Sequence, residues 1–308
     1  MFDRSVFYFI LLANTNSMWR LNHSVGGNVF KVCELYCVVN CLNCRGFKDL
    51  PVVFVMPGRR LAEVVVETKE AIGILASISR IMSENRINIV YLLLSTDGFK
   101  ARFLFFIDIT DSRVGLDELK EIIRQQPYTI SIDVWKPPIN GIVYDALCFP
   151  TMVHGFQSFI IRYETFSSII EEFRRRAGDE ATALFYHLGY YSGYTYAEYV
   201  RKQLEPLNLP LADIIRIAFD LDRSFGDFNP ELVWLNIDGG EATVRVYDSC
   251  EATPIRGRMK KPSCQYVRGE IAGTLSRLIG RELIAIEEKC IAAGDKYCEF
   301  HVKPRKQS

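Results

Sequence analysis

No run of apolar residues in this 308-residue chain reaches the ~18 that a membrane-spanning helix needs. Charge of one sign is not in excess either. Lys and Arg number 37, Asp and Glu 37, and the formal net charge is +0. Electrostatics therefore gives no reason to expect nucleic acid or an anionic membrane as partner. The phosphate-binding patterns are missing too. There is no Gly-x-x-x-x-Gly-Lys-Ser/Thr, and no strand leads into Gly-x-Gly-x-x-Gly, so neither an ATPase loop nor a nicotinamide fingerprint is present. The basic run RGRMKK at 256–261 has no helix-turn-helix pattern beside it and reads as a solvated loop. Val6 to Ala13 is the longest apolar stretch near the start, and no small-residue cleavage site comes after it. The expectation is a soluble, cytoplasmic protein.

The composition is that of a chain that builds cores, with 49% hydrophobic and 24% charged residues. Its length suits two domains. Nine cysteines, an odd number, are clustered rather than spread as a disulfide framework would be. That points to a reducing compartment and to metal or core roles. Cys33, Cys37, Cys41 and Cys44 lie in the first 55 residues, which show no sustained helical or strand period. This stretch reads as an irregular extension (1–55). The last three have the Cys-x3-Cys-x2-Cys spacing of radical-SAM iron–sulfur enzymes, but the residues after Cys44 do not read as the barrel those enzymes need.

From Leu61 the pattern is regular. LAEVVVET reads as a strand, and GILASISRIMSEN as a helix with Ile74, Ile78 and Ile81 along one face. INIVYLLLS is a second strand. Asp97-Gly98 marks a hairpin, and ARFLFFIDI is a third strand. GLDELKEIIRQQP is a second helix and YTISIDVW a fourth strand, closed by Pro137-Pro138. The order β-α-β-β-α-β is that of a ferredoxin-like domain, 56–138. The connection ETKEAIGILASIS and the segment NRINIV resemble an ACT domain. Glu70, Gly73 and Ile87-Asn88-Ile89 fit that pattern, whereas Ile72 stands at the expected proline and Arg86 at the expected glycine. The resemblance implies pairing into a homodimer and an amino-acid effector near Glu70, Gly73 and Asn88. A scaffold that binds no effector is the alternative.

Residues 142–308 read as a second, mixed α+β domain. SFIIRYET is expected as a strand, with helices over FSSIIEEFRRRAG, over 179–204 and over LADIIRIAFDLDRSFG. A hairpin turning at Gly239-Gly240 comes next, then a helix opened by Pro262, then the strands ELIAIE and CEFHV. Glu287 and Cys290 are spaced so that one tight turn can present both, and a return through Gly294-Asp295 brings Cys298 back toward Cys290. Cys264, in the first turn of the Pro262 helix, is the best fourth donor, because a helix N-terminus favours thiolate. By spacing, His301 and Asp295 stay open as alternatives. Gly269 and Gly273, four apart, permit that helix to pack closely on another element. Phe185, Tyr186, His187, Tyr190 and Tyr194 crowd one helix, and Trp234 lies further along the chain; aromatics with a few polar groups suit a small apolar ligand.

Four segments, FYHLGYYSGY, VRVYDSCEA, PSCQYVRGEIAGTLSRLIGRELIAIEEKC and AAGDKYCEFHV, resemble the 4-vinyl reductase domain family of small-molecule-binding or hydrocarbon-binding domains. That resemblance implies a zinc site at Cys264, Glu287, Cys290 and Cys298. Four protein ligands leave no open position, so such a zinc is structural. The expected function is a small-molecule-binding sensor or regulatory protein with a largely apolar pocket. The alternatives are a reductase-type enzyme acting on an aromatic or tetrapyrrole substrate, and a structural adaptor without ligand.

Overall fold

A computed structural model describes residues 49–50, 52–153 and 155–305. The cysteines at 33, 37, 41 and 44 and the apolar stretch at 6–13 lie outside the described residues. The described chain falls into two compact units, dividing between Phe159 and Ile160. Both are mixed α+β with antiparallel sheets. No helix of the described residues is long and apolar enough to cross a membrane.

The first unit begins with β1 (Val53–Val55) and β2 (Leu61–Lys69). Next come helix α1 (Ile74–Glu84), the hairpin of β3 (Asn88–Thr96) and β4 (Lys100–Asp108), α2 (Leu116–Arg124) and β5 (Thr129–Trp135). The sheet order is β3-β4-β2-β5, so the element order is the β-α-β-β-α-β expected. Alternation explains which face is covered. Val64, Val66, Phe103, Phe105 and Ile107 face the helices and pack with Ile78, Met82, Leu119 and Ile123. Leu104 and Phe106 point the other way, into a smaller cluster with Leu61 and Val143. Gly73 starts α1 at φ 89°, and Arg86 holds φ 55°, a left-handed turn at the position where the ACT resemblance expects glycine.

Two expectations change here. A short strand β6 (Ile142–Tyr144) pairs with β1, tying residues on both sides of the Pro137-Pro138 linker into one unit. The division therefore falls at 159/160 rather than near 138–142, and 53–55 is a strand rather than irregular extension. Two-residue strands β7 (Met152–Val153) and β8 (Phe156–Gln157) complete the unit.

In the second unit, the expected strand over 158–165 is not formed. Helix α3 (Tyr163–Ala177) already begins within it. Helices α4 (Asp179–Leu204) and α5 (Leu211–Phe225) come next, then the hairpin β9 (Phe228–Asn236) and β10 (Glu241–Ser249). Helix α6 (Gln265–Ile279), β11 (Leu283–Lys289) and β12 (Cys298–Pro304) close the chain, with sheet order β11-β12-β10-β9. The core lies between α6 and this sheet, where Val267, Ile271 and Leu275 meet Val244, Phe300 and Val302.

Helices α4 and α6 cross backbone to backbone. A Cβ on Gly189 would sit 2.0 Å from the Tyr266 carbonyl oxygen, and one on Gly193 2.1 Å from that of Glu270. From the other side, Gly269 would meet Tyr186 O at 2.1 Å and Gly273 Tyr190 O at 2.0 Å. The Gly269/Gly273 pair thus finds a matching pair in GYYSG, which the sequence alone presents as isolated glycines.

Gly273→Ala should force the helices apart and destabilise the second unit by at least ~2 kcal/mol, since the atom met is backbone and cannot rotate away. Urea denaturation of the variant and the parent measures this.

Candidate functional site

Cys264 is the N-cap of α6, not part of its first turn. Its backbone N–H donates to Glu287 Oε2 at 2.8 Å, which fastens the helix start to the end of β11. Beyond β11 the chain turns through Cys290 and Ile291–Ala293, and Gly294 takes φ 104°. Asp295 closes the turn by accepting the Cys290 N–H through Oδ2 at 2.8 Å. The return brings Cys298 Sγ under the Ile291 N–H at 3.3 Å.

One donor atom from each of Cys264, Glu287, Cys290 and Cys298 lies within 4.8 Å of all the others. Cys264 Sγ is 3.6 Å from Cys290 Sγ and 3.7 Å from Cys298 Sγ. A disulfide would need about 2.05 Å. Tetrahedral zinc with Zn–S near 2.3 Å has S···S edges of about 3.8 Å. All three sulfurs are buried, and Glu287 Oε1 is buried without a hydrogen-bond partner. Burial and then the Cys290 charge push the Glu287 carboxyl up to about 8. The Cys264 and Cys298 thiols, donating to Cys290, hold that thiol far below its usual range against the effect of burial. The donor set is thus dry, keeps most of its protons, and presents three sulfurs and a carboxyl group at one point, a set that fits a thiophilic divalent ion. The spacing alternatives have other partners: Asp295 in the turn, and His301 with Thr243 and Glu288.

Beneath α6 sits a residue that sequence reasoning missed. Glu251, 1% exposed, accepts the N–H groups of Gln265, Tyr266 and Val267 at 2.9, 2.9 and 3.2 Å. Arg174 Nη2 reaches Glu251 Oε1 at 2.6 Å and also donates to the Ser263 carbonyl. The orphan donors of the helix N-terminus are met by a carboxylate fourteen residues before it. No local capping pattern could show this.

The aromatic helix divides its side chains as its period requires. Tyr186, His187 and Tyr190 line a groove of about 420 Å³ with Tyr191, Arg268 and residues 282–286 and 305. The Arg268 guanidinium lies 4.5 Å over the Tyr186 ring, and Tyr186 and Tyr190 are 6.3 Å apart. Arg268 Nε is buried without a hydrogen-bond partner. Burial pushes the Tyr186 phenol up. Phe185 faces away, packed with Ile170 and Ala181. Tyr194 stacks on Tyr190 at 6.4 Å under Arg277 but does not line the groove. Trp234 is half-exposed on β9, opposite Thr243, and lies outside the groove.

In the first unit, Glu70 accepts from the Thr96 hydroxyl at the end of β3, whereas Asn88 begins that strand. The eight intervening steps put them roughly 26 Å apart, so one copy of the unit does not bring them together. Gly73 opens α1 with free space beside it.

Glu251→Ala should cost ~3–5 kcal/mol, because it leaves Arg174 unpaired in a nearly buried site together with three N–H groups. Glu251→Gln, which keeps an acceptor oxygen, should lose less; urea denaturation of both variants measures the difference.

Among known proteins, an uncharacterized protein of Methanocaldococcus jannaschii, MJ0150, is 50% identical over 40 residues, or 13% of this chain and 23% of its own length. The chain spans between 23% and 37% of the length of the curated relatives it matches. The crystal structure of the phenol-responsive sensory domain of the transcription activator PoxR with phenol is 20% identical, with a TM-score of 0.45. That likeness covers 49% of this chain and 78% of the other. The ACT domain from GTP pyrophosphokinase of Chlorobium tepidum is 15% identical, with a TM-score of 0.22, over 25% of this chain and 97% of that domain. Residues 243–304, which hold all four candidate metal donors, match the family model described as V4R domain, the 4-vinyl reductase family that this block of sequence resembles.

Proposed function

We propose that the chain is a small-molecule-binding sensor or regulatory protein. Its second unit is fastened by a structural zinc ion at Cys264, Glu287, Cys290 and Cys298, and takes a small aromatic molecule in the groove over Tyr186, His187 and Tyr190. The observation that carries the proposal is the V4R match falling on the segment with the four-donor cluster. When bound, zinc would neutralise the converging sulfurs and tie the start of α6 to the β11–β12 turn. A set of four protein donors offers no place for a reacting water, which favours a structural role over hydrolysis.

The groove supplies what a ring with one acceptor needs. Tyr186 and Tyr190 offer aromatic surface, and the Arg268 guanidinium over the Tyr186 ring offers a charged donor group. Arg268 stands on the helix whose start carries Cys264, so ligand and metal would act on one element. The first unit is read as an ACT-like pairing domain that makes the protein a homodimer. Its edge strand β3 exposes Leu93 and Leu94, the kind of surface a second copy would cover.

The purified protein should carry zinc, and Cys290→Ala should lose it along with much of the thermal stability of the second unit. Structural zinc is worth on the order of 10 kcal/mol in small zinc domains. A Cys290→Ala protein with full zinc occupancy and an unchanged melting temperature would refute the metal assignment.

Calorimetric titration with a panel of aromatic alcohols and carboxylates should find a ligand. Arg268→Ala should weaken it about tenfold or more, the loss of one charged hydrogen bond. A panel without a binder below ~1 mM, equivalent to about 4 kcal/mol of affinity, would overturn the ligand assignment.

A further inference from the structure

The first unit contains a second convergence of metal-type donors that the proposed function does not use. Glu63, on β2, is completely buried. Its Oε2 accepts the Ala146 and Leu147 N–H groups at 2.9 and 3.2 Å, while its Oε1 is buried with no hydrogen-bond partner. Asp145, exposed, accepts the Cys148 N–H through Oδ1 at 2.9 Å. Cys148 is half-buried beside them. One donor atom from each of the three lies within 4.8 Å of the other two.

We infer that Glu63, Asp145 and Cys148 form a divalent-cation site in the first unit, with three protein donors and one coordination position open toward solvent. A thiol with two carboxylates selects a borderline ion such as zinc or cobalt over magnesium or calcium. Tetrahedral edges for such donors are about 3.3–3.8 Å, so at most about 1.5 Å of closure is needed. Rotation of the exposed Asp145 side chain can supply it. The two backbone N–H groups that hold Glu63 Oε2 fix the carboxylate and leave Oε1 for the ion, the outer-shell support a ligand requires.

Burial, and with it the neighbouring Asp145, pushes the Glu63 carboxyl up to about 7. Burial, then Asp145 and Glu63, push the Cys148 thiol up to about 11. Arg102, a cation that acts on Cys148, is paired with Glu67 at 3.0 Å. Three would-be anions converge, and a divalent ion would relieve the repulsion among all of them. A proton shared by the two carboxyls is the competing occupant, with Cys148 then serving only to pack against Leu61, Leu104, Phe106 and Val143.

The test loads metal-stripped full-length protein with cobalt(II) and counts bound ions by native mass spectrometry. The parent is compared with Cys148→Ser, Asp145→Asn, Cys290→Ser and the Cys148→Ser/Cys290→Ser double variant. Metal taken by other cysteines cancels in the differences. Cys148→Ser and Asp145→Asn should each bind one cobalt fewer than the parent, and the double variant two fewer. Cobalt should raise the melting temperature of the first unit in the parent by several degrees, and not in Asp145→Asn. Asp145 is exposed, so its variant decides the matter even if Cys148→Ser fails to fold. Parent-level cobalt in Asp145→Asn or in a folded Cys148→Ser would overturn the inference. Loss of an ion in those variants with none lost in Cys290→Ser would refute the zinc assignment of the second unit and leave this one standing.

Discussion

The second unit is organised by the place where α4 and α6 touch without side chains between them. Four glycines let the two backbones meet, and each would-be Cβ points at a carbonyl oxygen of the facing helix. Contact that close fixes both the distance and the rotation of the helices, because no side chain is left to rearrange. Tyr186 and Tyr190 contribute the carbonyls that Gly269 and Gly273 face, so their rings emerge along the seam. Arg268, next to Gly269, comes out over Tyr186. The groove is therefore a product of the crossing.

The same crossing sets a problem at the start of α6. A helix pinned along its length presents its N-terminal N–H groups to a dry interior, where unpaired donors are costly. Glu251 meets three of them and Glu287 meets that of Cys264. All four bonds are accepted by carboxyl oxygens that come from outside the helix. The Cys264 sulfur is thereby held beside Cys290 and Cys298, where it would be ready for the proposed ion. Preorganisation of this kind lowers the cost of binding, because the chain has already given up the freedom of those side chains.

Local features of this architecture were legible in the sequence. The 3.6-residue period placed α1 and α2, helix-forming runs placed α4 and α5, and β-rich segments bounded by turns placed the strands of the two four-stranded sheets. Cysteine spacing brought forward Glu287, Cys290 and Cys298, and Gly269/Gly273 announced a close approach. What stayed hidden was pairing at long range. Glu251 lies fourteen residues from Gln265, and its acidic side chain among small residues resembles any surface carboxylate. Glu63 sits inside the valine-rich LAEVVVET, where alternation alone would send it to solvent. It is instead covered by the 145–148 segment, 83 residues away at Ala146. The β1–β6 pair was missed because three-residue strands carry no usable period, and with it went the position of the division between units.

Glu63, Glu251 and Glu287 share one physical role. Each is a carboxylate on or next to a strand that holds backbone N–H groups of another segment, where apolar contact cannot satisfy them. They differ in what is left over. Glu251 uses both oxygens, on three N–H groups and Arg174. Glu63 and Glu287 each use one oxygen and keep Oε1 buried and unpaired. An unpaired buried carboxylate oxygen costs free energy unless a proton or a cation meets it. In both cases the groups gathered with that carboxylate include cysteine sulfur, the donor a thiophilic ion prefers. The leftover oxygen, more than the cysteine count, is what separates these two carboxylates from Glu251.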